Sequence, residues 1–393
     1  MQFIKPGSTF DFVGKRRLAA IGSILAVSIS LILAVGGSFA SLPVSPKYGV
    51  DFAGGTEILI KVADGVTIQE LRAGLGKVGL SDDSVQKFGG SGLEYKVRVE
   101  SVNFGANDFF ESVKTQLQTD YGADTWTRFE WDPEQSIKMS AKASRAIDPE
   151  EVRAKLVSLN PDVTVEESKV EHNALIVGFP GVTDAVKTSL AGALGAEQFE
   201  VLGVEMVGPA VGAELRRKGL LSIVFSLALI LVYVAFRFDL SFAPGAVAAL
   251  GHDVAITIGI FCLIGHEFTL TTIGALLTIV GYSLNDTIVV YDRIRENLIR
   301  FPRRDLGEVV NVSLNETLSR TVLTSVTTLA AVIALMIFGG PIIADFSLAL
   351  LIGVIIGTYS SLFVASPMIL FLQKWLPVEV PVDEEAEPAR KAR

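Results

Sequence analysis

The chain has 393 residues, of which 50% are hydrophobic and only 20% are charged, and its mean hydropathy is +0.47. This composition is too apolar for a soluble protein of this size and indicates a membrane protein. The net charge is −9 at pH 7, and residues 41–218 hold most of it, with 19 Lys and Arg against 27 Asp and Glu, so no basic surface predicts nucleic-acid binding.

Six apolar runs are long enough, or nearly so, to cross a bilayer core, which needs roughly 20 residues per helix. They cover residues 18–40, 219–236, 242–264, 270–290, 318–338 and 346–372. The predicted fold class is an α-helical polytopic membrane protein with six transmembrane helices, and a large α+β domain, residues 41–218, between helices 1 and 2. Helices 2–6 occupy residues 219–372, and residues 1–17 and 373–393 form the two tails.

Basic residues predict the orientation, because they favour the cytoplasmic side when they lie in short loops near span ends. Lysines and arginines precede the first span, and five arginines from Arg293 to Arg304 follow the fourth. The loops after the third and fifth spans, GHEFT and GGPIIAD, contain none. Both termini are therefore expected in the cytoplasm, and the large domain is expected to be exported.

The first run has an alternative interpretation as a cleaved signal peptide. The residues SFA before Ser41 form a small-x-small site after a basic start. However, the run has 23 residues, which is longer than a usual signal core, and cleavage would leave five spans. We therefore interpret it as transmembrane helix 1.

The exported domain is predicted to contain one α+β pattern twice. Residues 56–131 have the order strand, helix, two strands, helix and strand, and residues 135–207 repeat it. Each copy matches the βαββαβ plan of ferredoxin-like domains. Thr67 and Asp148 are suitable N-caps for the first helix of each copy, and each has a glutamate three residues later.

Neither copy offers a group of residues for covalent catalysis or metal binding. His172 is the only histidine in residues 41–218. Cys262, the single cysteine, lies within a span, which excludes an intrachain disulfide. We therefore expect the domain to contact another molecule without transforming it, and we expect no enzyme activity, cofactor or metal.

Ionisable side chains inside spans are costly and usually face a partner or an aqueous path. Asp286 lies 16 residues from the outer end of the fourth span at Leu270, and Arg320 lies 18 residues from the outer end of the fifth at Phe338. At about 1.5 Å per residue, the two lie about 24 and 27 Å from the outer surface. They are therefore expected at one depth.

The fifth span also carries a polar stripe at spacings of three and four residues. Its members are Thr317, Arg320, Thr324 and Thr327 with Thr328. The third span adds Asp253 near mid-membrane, with His252 and Thr257. A polar channel wall explains the pattern, with possible support for Asp286 and Arg320 from Asn285, Thr324 and Asp253.

The alternative is a buried salt bridge between Asp286 and Arg320 that holds two helices together. One arginine cannot also neutralise Asp253, and a desolvated carboxylate without a full partner can load and release protons. For His252 alone, a hydrogen-bonded core residue is favoured over a proton relay. The residues do not decide whether the ion is H⁺ or Na⁺.

Five motifs in chain order resemble the SecF branch of the SecD/SecF family of bacterial protein-export subunits. They are FDFVGKRR at 10–17, GVDFAGGTEI at 49–58, VGPAVGAELRRKG at 207–219, GYSLNDTIVVYDRIREN at 281–297 and SLNETLSRTVLTSVTTLAAV at 313–332. The similarity extends from residue 10 to about residue 372, with an interruption inside the exported domain.

The resemblance implies the resistance-nodulation-division superfamily, the bacterial inner membrane, a periplasmic domain and a six-span SecD-like partner. It also implies use of the proton-motive force to promote late steps of polypeptide translocation at the Sec channel, with exported unfolded polypeptide as the substrate. In the family, the residues that match Asp286 and Arg320 form the proton path. The other motif residues are Asp51, Phe52, Gly54, Gly55, Gly281, Asp292 and Arg293.

The predicted duplication departs from this family, whose SecF members usually carry one ferredoxin-like domain. Locally, Gly54 and Gly55 are expected to permit a bulge or a close backbone approach at the entry of a strand. Gly274 and Gly281, seven residues apart, predict a small-residue surface for contact with a partner helix. Two other functions stay open, namely a half-transporter for a small or lipidic substrate and a translocon scaffold without ion coupling.

Overall fold

A computed structural model describes residues 9–39, 46–76, 80, 84–88, 92–99, 106–131, 138–159, 163–178, 182–238 and 240–378. The predicted tail before residue 9, the alternative cleavage site before Ser41 and the tail after residue 378 lie outside these residues. The chain divides into two compact units. The α/β unit is Tyr48–Arg217, and the helical unit combines Met1–Lys47 with Lys218–Arg393.

The helices are α1 (Arg16–Phe39), α2 (Val50–Ala53), α3 (Ile68–Gly76), α4 (Ala106–Tyr121), α5 (Pro149–Leu156), α6 (Val182–Leu194), α7 (Pro209–Arg237), α8 (Ala243–Ile264), α9 (Leu270–Arg300), α10 (Leu306–Phe338), α11 (Gly340–Ser360) and α12 (Ser366–Leu372). The strands are β1 (Lys47–Tyr48), β2 (Gly55–Val62), β3 (Val85–Phe88), β4 (Glu94–Val99), β5 (Trp126–Glu130), β6 (Lys138–Ala143), β7 (Thr164–Glu167), β8 (Ala174–Gly178), β9 (Phe199–Val207) and β10 (Glu267–Phe268). A π-helical turn, Ser361–Ala365, joins α11 to α12.

Six helical segments of the described chain are long and apolar enough to cross a membrane. They are α1, α7, α8, α9, α10 and the continuous segment from Ile343 to Leu372. The predicted six spans are therefore matched, but several helices are longer than predicted. Helix α7 begins at Pro209 instead of Gly219. Helix α9 continues past the predicted end near residue 290 to Arg300, and α10 begins at Leu306 instead of Leu318. Apolar runs predict only the part of a helix that lies in lipid, whereas Glu and Arg are also good helix formers.

Small residues bring the helices of the helical unit close together. A Cβ atom at Gly353 of α11 would collide with the side chain of Ile279 on α9. Similarly, a Cβ atom at Gly259 of α8 would collide with Ser30 on α1. These contacts hold α9 against α11 and α8 against α1, and so they determine which side chains meet inside the bundle.

The α/β unit contains two four-stranded sheets whose neighbouring strands are antiparallel. Their strand orders are β3-β4-β2-β9 and β5-β6-β8-β7. The pairing differs from the predicted division into consecutive copies at 56–131 and 135–207. Strand β9 pairs with β2 of the first copy, and β5 pairs with β6 of the second. A local pattern predicts a strand but does not identify its partner.

The two hydrophobic cores divide the chain in the same way. Leu190 of α6 packs in one core with Ile60 of β2, although α6 lies late in the chain. Leu117 of α4 packs in the other core with Met139 of β6. Residues 106–178 therefore supply the elements of the second sheet and its core. In the sequence, they are inserted between β4 and α6, which both belong to the first sheet and its core.

Both predicted N-caps are confirmed. Thr67 and Glu70 form a capping box, in which Glu70 N donates to Thr67 Oγ1 at 3.3 Å and Thr67 N donates to Glu70 Oε2 at 2.8 Å. The Thr67 hydroxyl also donates to Glu70 Oε2, at 3.0 Å, and the two bonds from the Thr67 N–H and hydroxyl lower the pKa of Glu70. Asp148 Oδ1 accepts from the backbone N–H of Glu150 at 3.0 Å. Glu151, the expected second member of that box, accepts instead from the hydroxyl of Tyr121 at 3.1 Å.

The segment with Asp51 and Phe52 is a short helix, α2, and not the start of a strand. Gly54 and Gly55 then adopt φ values of +78° and +113°, which L side chains rarely adopt, before β2 continues. The predicted close approach is present, because a Cβ atom at Gly212 of α7 would lie 3.0 Å from the Gly54 nitrogen. Two motifs that are distant in sequence are therefore in direct backbone contact.

Candidate functional site

Asp286 lies in the middle of α9 and is only 3% exposed. Its Oδ1 atom accepts one long hydrogen bond, 3.4 Å, from the hydroxyl of Thr324 on α10. Its Oδ2 atom is buried and has no hydrogen-bond partner among the described residues. Most buried polar groups are paired, so this carboxylate requires an explanation beyond packing.

Arg320 is one helical turn before Thr324 on α10, as the depth argument predicts, but its side chain is exposed. Among the described residues, no ion pair of 4 Å or less joins Arg320 to Asp286. The alternative of a formed buried salt bridge is therefore wrong for this conformation. Arg320 is therefore one helical turn from Thr324, the residue that contacts Asp286, without a contact of its own to that carboxylate.

The predicted threonine stripe changes character along α10. Thr317 is buried, whereas Thr327 is exposed. Their hydroxyls donate to carbonyls of their own helix, which is usual for threonine inside helices. Among the described hydroxyls of this stripe, only that of Thr324 also reaches a carboxylate of another helix. The stripe is thus buried at Thr317 and exposed at Arg320 and Thr327.

The neighbouring face of α9 is also open. Gly274, Gly281 and Asn285 are exposed, and Cβ atoms at the two glycines would have no heavy atom within 4 Å. With Thr278, these residues recur at helical spacing and lie on one face. We call these four residues the α9 small-residue face. They do not contact Asp286 through any hydrogen bond described.

Asp253 lies in a different environment from Asp286. It is fully buried on α8, where His252 Nδ1 lies 2.9 Å from its Oδ1 atom. Its Oδ2 atom accepts from Ser283 of α9 at 2.6 Å and from Ser360 of α11 at 2.7 Å. These are short, charge-assisted hydrogen bonds when the carboxylate is ionised. The predicted support of Asp286 by Asp253 is therefore not a direct contact among the described residues.

Ser283 and Ser360 are partners of Asp253 that were not predicted from the sequence. Ser283 lies three residues before Asp286 and is a recognisable signal, because a small hydroxyl residue beside an intramembrane carboxylate is a potential donor. Ser360 lies 107 residues from Asp253 along the chain, so no spacing rule connects them. Thr257, which was predicted beside Asp253, donates to the Asp253 carbonyl of its own helix at 2.8 Å.

The charged end of α9 is anchored by ion pairs. Arg293 Nε donates to Glu316 on α10 at 2.7 Å, and Arg293 Nη1 donates to Glu296 at 2.7 Å. Asp292 lies 3.8 Å from Arg237 of α7. Asp292 and Arg293 therefore connect α9 to two neighbouring helices and fix the position of this helix end.

The motif residues of the α/β unit have structural partners. Phe52 is buried and its ring lies edge-on to that of Tyr48, with ring centroids 6.4 Å apart. Near α2, burial raises the pKa of Glu205, and the charges of Asp51 and Glu57 raise it further. Within the described residues, no group of three or more His, Cys, Asp or Glu side chains could hold a metal ion.

Comparison with known proteins identifies consistent relatives. Residues 186–375 match the family model of the SecD/SecF protein export membrane protein, C-terminal region. The chain is 36% identical to the protein translocase subunit SecF of Koribacter versatilis over 386 residues, which cover 94% of this chain and 93% of that protein. It is 37% identical to the SecF subunit of Magnetococcus marinus, over 95% of this chain and 94% of the relative.

A solved structure has the same architecture. The crystal structure of SecDF from Thermus thermophilus, a translocon-associated membrane protein, superposes with a TM-score of 0.62 at 30% sequence identity. The match covers 94% of this chain but only 39% of that chain. The present chain therefore spans about two fifths of the longer protein that it resembles.

Proposed function

The chain belongs to the SecF family of protein translocase subunits, and we propose that it uses the proton-motive force to promote late steps of polypeptide export. The observation that carries this proposal is Asp286, a buried carboxylate with one unpaired oxygen. Burial of an ionised carboxylate is far more costly than burial of a neutral carboxyl group. Occupancy by a proton can therefore select between two packings of the helices.

Arg320 is the proposed counter-charge on this path. In the conformation described, it is exposed and unpaired with Asp286. When Asp286 is protonated it is neutral and needs no counter-charge. When the proton leaves, the negative carboxylate attracts the guanidinium of Arg320. Asn285 and Thr324 are the proposed polar neighbours on the path. Each transferred proton contributes about 2.3 kcal/mol per 100 mV, enough to shift a near-balanced equilibrium.

The proposed partner is a six-span SecD-like homologue. The SecDF relative is a single chain of which this one matches 39%, and the α9 small-residue face leaves room for a second set of helices. The Sec channel and the unfolded exported polypeptide are the other proposed partners. No step requires covalent catalysis, so we propose an ion-coupled subunit and not an enzyme.

We propose the bacterial inner membrane as the location, with both termini in the cytoplasm and residues 41–218 in the periplasm. The positions of basic residues support this orientation. Lys15, Arg16 and Arg17 lie before or at the start of α1, and the arginines between Arg293 and Arg304 lie around the turn between α9 and α10. The turns at the opposite helix ends contain no arginine.

We also infer that both sheets of the α/β unit follow the ferredoxin-like plan, in which the strands of βαββαβ lie in the order 4-1-3-2. The order β9-β2-β4-β3, with α3 and α6, supports this for the first domain. The order β5-β6-β8-β7 fits the same plan when β6, β7, β8 and β5 are taken as strands 1, 2, 3 and 4. The chain then begins this domain at the second helix of the plan, α4. The second domain is then a circular permutation inserted into the first.

The proposal is tested by the variant Asp286→Asn, which keeps the shape of the side chain and removes the titratable group. Export into membrane vesicles is measured with and without a proton gradient. We expect the variant to insert normally and to lose the stimulation by the gradient. Glu308→Gln, which changes an exposed carboxylate at the start of α10, is the matched control. Normal gradient stimulation in a well-expressed Asp286→Asn protein would refute the proposal.

A further inference from the structure

The two buried carboxylates of the helical unit differ in how well they are paired. Asp286 has one long hydrogen bond and an unpaired oxygen, whereas Asp253 has side-chain partners on both oxygens. These partners come from three helices, α8, α9 and α11. We call His252, Asp253, Ser283 and Ser360 the Asp253 cluster.

The first contact of interest is between Asp253 and α9. Ser283 lies three residues before Asp286, so the two side chains are about 60° apart around the helix axis. Ser283 donates to Asp253 of α8, while Asp286 accepts from Thr324 of α10. A bond that holds Ser283 therefore also limits the rotation of α9 that would move Asp286 away from Thr324.

The second contact is between Asp253 and the last span. Ser360 is the final residue of α11, and the π-helical turn follows it directly. The other end of that turn is held by Tyr291 of α9, whose hydroxyl donates to the carbonyl of Ala365 at 3.1 Å. Such π-helical turns are rare and occur frequently at functional sites. This one is held at both ends by side chains of neighbouring helices.

We propose that Asp253 is a positioning residue that works through hydrogen bonds and not through its charge. By holding Ser283 and Ser360, it keeps Asp286 facing Thr324 and keeps the π-helical turn in register. The inference rests on the role of Asp286 proposed above. It assigns the two carboxylates different tasks, with Asp286 carrying the proton and Asp253 holding the helices that present it.

The chemistry of asparagine separates these tasks. In Asp253→Asn, the amide oxygen can replace Oδ2 and accept from both serines, while the amide nitrogen donates to His252 Nδ1. This requires only that His252 carries its proton on Nε2, an atom that has no hydrogen-bond partner among the described residues. All three hydrogen bonds of the cluster are then kept without a negative charge. Asp253→Ala removes them all.

The experiment labels Asp286 with dicyclohexylcarbodiimide, which reacts with protonated carboxyl groups in apolar surroundings. The full-length chain is labelled in native membrane vesicles, and mass spectrometry of its peptides gives the labelling rate of residue 286. Gradient-stimulated export is measured in the same vesicles. The variants are Asp253→Asn, Asp253→Ala and Ser360→Ala. Ser347→Ala is the matched control, because Ser347 is buried on the same helix and its hydroxyl has no partner among the described residues.

We expect Asp253→Asn and Ser347→Ala to keep the wild-type labelling rate and export stimulation. We expect Ser360→Ala and Asp253→Ala to change the labelling rate by about tenfold, the factor that corresponds to about 1.4 kcal/mol. If Asp253→Ala does not fold, Ser360→Ala still tests the proposal, because it removes a single hydroxyl.

Two results would overturn the proposal. Loss of export stimulation in Asp253→Asn would mean that its charge is required, and equal labelling in Ser360→Ala and Ser347→Ala would mean that the cluster does not position Asp286. The labelling rate reports the surroundings of Asp286 whether or not that residue drives export. A failure of the proton-coupling proposal is thus seen only in Asp286→Asn, and a failure of the positioning proposal only in the cluster variants.

Discussion

Thr324 Oγ1 lies 3.4 Å from Asp286 Oδ1, and this long contact is the single hydrogen bond that the described chain gives to a carboxylate buried between α9 and α10. An ionised carboxylate has about four acceptor sites, so most of its capacity is unfilled. Asp286 therefore occupies a place where its bonding has to change when its protonation changes.

Thr324→Val should weaken the coupling without abolishing it. Valine keeps the shape of threonine and removes only the hydroxyl, so the loss is that of one long hydrogen bond, about 1 kcal/mol. Gradient-stimulated export should fall several-fold, with insertion unchanged. Thr327→Val is the control, because the Thr327 hydroxyl donates only to carbonyls of its own helix. An equal effect of both variants would contradict the specific role of Thr324.

Gly281→Leu should disrupt the partner and spare the fold of the chain itself. The position is exposed and open, so the larger side chain finds room in this subunit but blocks close approach of another helix. In mild detergent, a six-span homologue should co-purify with the wild type and much less with the variant. Gly22→Leu, which is equally open on α1, is the control. Unchanged co-purification of the Gly281 variant would place the interface elsewhere.

Gly212→Ala should destabilise the α/β unit. Its new Cβ atom would lie 3.0 Å from the Gly54 nitrogen and 3.2 Å from the Phe52 carbonyl oxygen, and backbone atoms cannot move aside easily. Overpacking of this kind costs about 1–3 kcal/mol. Hydrogen exchange of the full chain should show faster exchange in β2 and β9. Gly203→Ala, a change in β9 with no heavy atom within 4 Å, should not have this effect.

Glu205→Gln should stabilise the β2–β9 pair at neutral pH. Burial and the charges of Asp51 and Glu57 raise the pKa of Glu205, while Lys96 opposes the shift. Because the folded-state pKa exceeds the unfolded one, ionised Glu205 destabilises the fold above that pKa, and the penalty disappears as the pH falls through it. The side chain is largely exposed, so solvent screening keeps the gain below about 1 kcal/mol.

The check on Glu205 is hydrogen exchange in β9 as a function of pH. Protection relative to the wild type should be greater in Glu205→Gln at neutral pH, and the difference should vanish in acid. Glu197→Gln, a change in an exposed carboxylate just before β9, is the control. A stabilisation by Glu205→Gln that persists unchanged in acid would rule out charge repulsion as its cause.

The membrane part could largely be predicted from the sequence, because a helix that crosses the hydrocarbon core needs about 20 consecutive, mostly apolar residues. Hydropathy identified the six spans. Counting residues from the span ends predicted that Asp286 and Arg320 lie at one depth, and Thr324, one turn from Arg320, does contact Asp286. The same counting could not predict that Arg320 is exposed. Side-chain direction depends on helix rotation, which packing contacts such as Gly353 against Ile279 determine.

The sequence was less informative wherever distant segments meet. The strands Trp126–Glu130 and Phe199–Val207 were both expected from their patterns, but each pairs in the other predicted copy. Likewise, Asp253 was identified as an unusual intramembrane carboxylate, but its partner Ser360 follows only from the packing of α8 against α11. Local sequence patterns show which face of a helix or strand is apolar. Which other helix or strand packs against that face is seen only in the three-dimensional structure.

The central claim is that proton occupancy of Asp286 selects between conformations. Its most direct test is disulfide crosslinking between cysteines placed in residues 48–217 and at the outer helix ends, after Cys262 is replaced by alanine. The proton gradient is then collapsed in membrane vesicles. We predict that the distribution of crosslinked species changes in the otherwise wild-type protein and is insensitive to the gradient in Asp286→Asn. A wild-type distribution that ignores the gradient, while export still depends on it, would contradict this account.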